Sequence, residues 1–154
     1  MVPPRPIVEV QLADLSGSNL KGADLEGTNL PGANLKGVNL QGANLKDANL
    51  KGTNLPGANL QGVNLQGVNF DEVLLSGANL PGANLKGVCL FGLDLTGLNL
   101  EGANLGEADL GGANLKDANL FLANLEGANF EGANLEGAYL DGEPMEELGA
   151  ALFA

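Results

Sequence analysis

From Leu15 to Leu140 every fifth residue is large and apolar, Leu at 24 of 26 positions and Phe at 70 and 130. Few folds are compatible with that period. On an α-helix a five-residue step turns about 500°, so the leucines would wander around the axis and form no stripe. A flat strand alternates with period two, so an odd repeat would throw successive leucines onto opposite faces. The chain must therefore turn once in every repeat.

The residues around each Leu say how it turns. Two positions before the Leu stands Ala in 16 of 26 repeats, otherwise Val, Thr, Ser or Leu. The residue just before it is Asn or Asp in 23 of 26, and Gly follows two positions after it in 21 of 26. Pro31-Gly32, Pro56-Gly57 and Pro81-Gly82 occupy the two positions after a Leu. Pro-Gly there is the signature of a type II turn, Pro fixing φ and Gly supplying φ > 0. Asp47, Glu72, Glu107, Asp117 and Leu122 replace that Gly, which predicts a departure from type II at those corners, most clearly at Glu72 and Leu122. The Leu and the small residue two before it then point inward, while Asn and the residue after the Leu point outward. Val68, Val73, Val88, Leu93 and Leu98 enlarge the interior of the middle coils, which reads as locally matched core packing.

Units such as Ala33-Asn34-Leu35-Lys36-Gly37 and Ala43-Asn44-Leu45-Lys46-Asp47 resemble the pentapeptide repeat family. The resemblance implies an all-β fold, a right-handed quadrilateral parallel β-helix of about six and a half coils, with a rise of ~4.8 Å per coil. It covers residues 13–142. Residues 1–12 read as an N-terminal cap in which Val8-Glu9-Val10 is a degenerate first repeat. Residues 143–154 read as a short capping helix: Pro144 suits a first turn, Glu146 and Glu147 suit the positive end, and Met145, Leu148 and Leu152 recur at helical spacing. A lid on the last coil, and hence a monomer, is favoured over a dimer contact.

The chemistry of catalysis is missing. There is no His and no Trp, and Cys89 stands alone in an Asn slot. Cys89 has no His to activate it, no His/Cys metal set exists, and the glycines follow the turn period and open no phosphate-binding helix. The expectation is a non-enzyme without cofactor or metal. A net charge of −12 argues against direct nucleic-acid binding. No apolar run of membrane-spanning length occurs. Met1–Pro6 carries no secretory h-region, and one cysteine fits a reducing compartment, so a cytoplasmic location is expected.

Function is sought on the surface. Leu74, Phe91, Phe121 and Leu122 are apolar at outward positions. Leu74 and Phe91 read either as a partner-binding patch or as scattered surface residues, and Phe121-Leu122 either as a patch or as a support for the terminal helix. Residues 1–90 carry 7 acids and 6 bases, whereas residues 91–154 carry 12 acids and only Lys116. Glu126, Glu131, Glu136 and Asp141 fall at successive outward positions and form an acidic collar. Solubility accounts for such a collar. The family resemblance offers a second account, an acidic rod that imitates duplex DNA and regulates DNA gyrase, as quinolone-protecting members are described to do. The leading expectation is a non-catalytic interaction rod whose partner, another protein, is unknown.

Overall fold

The fold is described from a computed structural model, in which residues 12–140 and the backbone of 143–144 are placed. The chain winds as a parallel β-helix with 20 residues to the coil. Residues 20 apart are bridged in parallel, from Asp14↔Asn34 to Asn119↔Tyr139. The bridges run in four columns, which define four faces: a first through residues 14 to 134, a second through 19 to 139, a third through 24 to 124 and a fourth through 29 to 129.

Each repeat is held by three kinds of backbone bond. The amide after each corner closes the turn, as in Ala58 N–H to Leu55 C=O at 3.0 Å. The Leu amide and the corner Gly amide both donate to the coil above, as Leu55 does to Leu74 (2.8 Å) and Gly57 to Ser76 (3.0 Å). The Asn amide donates to the coil below, as Asn59 does to Val38 (2.9 Å). The Asn side chain adds two more bonds. Its Oδ1 accepts the N–H two residues on, as Asn59 does from Gln61 (3.2 Å), and its Nδ2 donates to the Asn one coil below, as Asn64 does to Asn44 (3.1 Å). Asp14, Asp24, Asp94 and Asp109 accept the same local N–H, but a carboxylate has no hydrogen to pass down the column.

The stacked leucines and the small residues between them fill the interior. Leu45, Leu50, Leu65, Leu105 and Leu110 are completely buried, each contributing roughly 2 kcal/mol over exposure. Burial fades at both ends, where Leu15, Leu20, Leu25 and Leu30 and then Leu125, Phe130 and Leu135 are only partly covered. Val8-Glu9-Val10 lies outside the described residues.

Three expectations are corrected. The corners without Gly do not leave the left-handed region: φ is 57° at Asp47 and Leu122, 60° at Glu72, 59° at Glu107 and 58° at Asp117, against 62–72° for the corner glycines. A left-handed L-residue costs about 1–2 kcal/mol, but leaving that region would misdirect the corner amide, which at Asp47, Glu107 and Asp117 donates to the next coil at 2.8–2.9 Å. Coil stacking overrides the local preference. Leu93 is only partly buried, because it lines an opening in the wall, whereas Val68, Val73, Val88 and Leu98 are buried. Finally, the helix expected over 143–154 does not begin at 143. Strand β1 (Tyr139–Leu140) pairs antiparallel with strand β2 (Glu143–Pro144), Leu140 facing Glu143. The rest of the expected helix lies outside the described residues.

Two outcomes follow. Leu122→Gly, at an exposed side chain with positive φ, should raise stability by about 1 kcal/mol, visible as a higher Tm; an unchanged or lower Tm contradicts the account of the corners. Leu65→Asp should cost several kcal/mol by burying an unpaired carboxylate, whereas exposed Lys36→Asp should stay within ~0.5 kcal/mol. Equal melts would reverse the inward and outward assignments.

Candidate interaction surface

Apart from Leu12 at the start of the described residues, the large exposed apolar side chains described fall in two places. Phe121 follows Leu120 at a second-face corner, and Tyr139 stands on the same face one coil above Asn119. Phe121, Tyr139, Asp117 and Asn119 line an open depression of about 500 Å³. Phe121 is 37% exposed, Tyr139 50% and Leu122, the next residue, 66%. The backbone beneath them is fixed, since Gly102 donates to the Phe121 carbonyl and Leu120 to that of Tyr139 (2.8 and 2.7 Å). Tyr139 was missed from the sequence, although it is one of only three residues that replace Asn or Asp in their slot; the departure itself was the signal.

Leu74 and Phe91 lie on the coils either side of an opening between the fourth and first faces. Lys51, Phe70, Asp71, Glu72, Cys89, Phe91 and Leu93 line this cavity of about 260 Å³, where the sequence predicted solid packing. Leu74, 59% exposed, is not among its lining residues. The Phe91 ring rests on the coil above, 3.0 and 3.2 Å from where a Cβ on Gly111 would stand. Gly111 thus makes room for an aromatic ring that was read from sequence as purely outward. Cys89 is exposed in this opening.

Glu126, Glu131 and Glu136 are exposed on three successive corners, each anchored through its amide to the preceding Asn side chain; Asp141 lies outside the described residues. Lys116 reaches Glu136 at 2.8 Å, and this hydrogen bond, with the Coulombic attraction of Glu136, raises the lysine's pKa above its ordinary value. Lys86 pairs with Glu107 at 3.2 Å. Such exposed pairs add little stability, and among the described residues of the collar Glu126 and Glu131 have no ion-pair partner. Among the described residues no three His, Cys, Asp or Glu side chains converge on a metal position, and no helix is long and apolar enough to cross a membrane.

The model of the pentapeptide repeats matches residues 11–47, 43–80, 58–97 and 99–137. Among curated proteins none matches. Solved structures do. QnrB1, a plasmid-mediated fluoroquinolone resistance protein, is 22% identical, with 90% of this chain and 86% of that one covered and a TM-score of 0.58. A pentapeptide repeat protein of the Arabidopsis thaliana thylakoid lumen is 33% identical over 68% of this chain, with a TM-score of 0.47, and this chain spans 66% of its length. Rfr23, from the cyanobacterium Cyanothece 51142, is 28% identical, with 83% and 91% covered and a TM-score of 0.36. The likeness to QnrB1 is one of fold, a right-handed β-helix.

Hydrogen bonds from the Thr96 hydroxyl and then the Thr96 N–H hold Asp94 below the ordinary carboxyl value of 3.8. A depressed folded pKa means that the stabilisation is complete above 3.8 and is lost as pH falls through the lower folded value. Thr96→Val should move Asp94 back up toward 3.8 and leave the protein less sensitive to acid. An NMR titration of Asp94 that does not move on this substitution would dismiss the hydroxyl as the cause.

Proposed function

The chain belongs to the pentapeptide repeat family, and on that premise we propose that it is a non-catalytic rod that binds another protein through its side faces. The observation that carries the reading is the aromatic depression at Phe121 and Tyr139, with Leu122 beside it. Elsewhere the outward positions are dominated by Asn, Lys, Gln and Glu, whose side chains are consumed in the ladders or solvated. Aromatic anchors on a rigid backbone are the residue types that carry binding energy at interfaces, because they bury large area at little cost in side-chain entropy. The rod itself is a monomer in a reducing, cytoplasmic setting, and it holds no cofactor.

A second reading is favoured by one feature, the acidic second half. Glu126 and Glu131, with the twelve-to-one excess of acids over bases after residue 90, suit a protein whose partner normally binds DNA. This is the reading of a DNA-mimicking gyrase regulator.

Capture from native cell extract with the intact chain and with Phe121→Ser/Tyr139→Ser tests the first reading: a protein retained by the former and lost by the latter supports it, and identical captures refute it. A gyrase supercoiling assay tests the second. Inhibition or relief that weakens steeply with salt is expected of mimicry, and no effect at the highest soluble concentration removes it.

A further inference from the structure

The backbone ladder that binds coil to coil is broken along one line. On the lower side the amides of Gly67, Phe70, Glu72, Leu75 and Gly77 make no bond to the coil above, and on the upper side those of Cys89, Asp94 and Asn99 make none to the coil below. The Asn69↔Cys89 and Leu74↔Asp94 bridges are likewise missing from the columns. Elsewhere among the described residues the ladder lacks only the bond from Leu50 to Asn69, and the neighbouring bond from Asn69 to Ala48 is stretched to 3.4 Å. The break takes in the whole of the fourth and first faces between the two coils. On the third face Leu65 still donates to Asn84 (2.8 Å), and on the second Leu80 to Asn99 (2.9 Å) and Gly82 to Glu101 (2.7 Å).

Two features of the sequence coincide at this seam. First, neither open face can form the carboxamide link. Cys89 stands over Asn69 and Asp94 over Leu74, whereas on the closed faces Asn84 donates to Asn64 (3.1 Å) and Asn99 to Asn79 (3.2 Å). Second, the inward residues that meet across the open faces exceed the usual Ala and Leu of the repeat: Val68 lies under Val88, Val73 under Leu93, and Phe70 under the ordinary Leu90. Close-packed walls have no slack for added volume, so the coils part where these side chains stack. The 260 Å³ cavity lined by Phe70, Phe91 and Leu93 is the opening that results.

We propose that the seam is a hinge, about which the second half of the rod tilts on the bonds that persist along the second and third faces while the fourth and first open and close. The hinge falls where the charge changes. Residues up to 90 are nearly balanced, and those beyond carry 12 acids against one base. Tilting therefore swings an acidic arm against a neutral one, and it varies the angle presented to a partner that spans both.

Hydrogen exchange of the full chain, read residue by residue, tests this. The amides of Phe70, Glu72, Leu75 and Gly77 should exchange at least about tenfold faster than those of Gly52, Leu55 and Gly57 one coil below, as expected of a local opening. Rates no faster than those of the lower coil would overturn the hinge. In the variant Leu74→Asn/Cys89→Asn/Asp94→Asn, which supplies the missing carboxamides, the seam amides should slow toward their neighbours; persistently fast exchange in the folded variant would overturn the role given to these positions. Spin labels at Lys36→Cys and Lys116→Cys, on the open side either side of the seam, should give a broader distance distribution with Cys89→Ser than in the triple variant. Equal widths would show that the rod does not tilt.

Discussion

The structure depends on the parallel hydrogen bonds that join residues 20 apart. A lone five-residue turn has nothing to hold it, since its single internal bond cannot offset the entropy of ordering five residues. Once coils stack, each turn gains bonds above and below, and its inward Leu meets another Leu. The corners show how far this tertiary term dominates. Glu107 takes the left-handed conformation that its own chemistry disfavours, and the amide so placed bonds to Glu126. The same dependence explains why the ends fray in burial: the outermost leucines have a neighbour on one side only.

A second system runs down the outside of the rod. Most of the Asn side chains accept a backbone N–H within their own repeat and donate to the Asn or Asp one coil below, tying local turn geometry to coil register through one side chain. Asp can do the first and not the second, and Cys, Leu and Tyr can do neither with their side chains. A substitution in this slot therefore costs an axial link and exposes a side chain of different chemistry at once. Cys89, Leu74 and Tyr139 are the three places where this happens, and all lie on or beside the two openings in the rod's otherwise regular wall. Candidate function and departure from the repeat coincide for that physical reason.

Within a family recognised by its repeat, these departures carry the individuality of the chain. The aromatic depression at Phe121 and Tyr139 and the acidic corners at Glu126 and Glu131 sit in the upper half, on backbone that the ladder holds rigid. The seam separates that half from a lower one of balanced charge. The proposed interaction role and the proposed hinge rest on these departures.

The residues alone determined the turn once in five and the inward and outward positions, because each rests on a repeat that is nearly unbroken over 26 units. They also exposed Leu74, Phe91, Phe121 and Leu122 as outward apolar residues, since any departure from a strict period is conspicuous. Tertiary structure decided what depends on which residues stack. It held the non-glycine corners at positive φ, laid Phe91 across Gly111 rather than leaving it free, and joined Phe121 to Tyr139 across one coil. It also turned a set of enlarged core residues into an open seam. Residues 20 apart are distant in sequence but about 4.8 Å apart in space, and the energy of that contact appears only when the coils are closed upon each other.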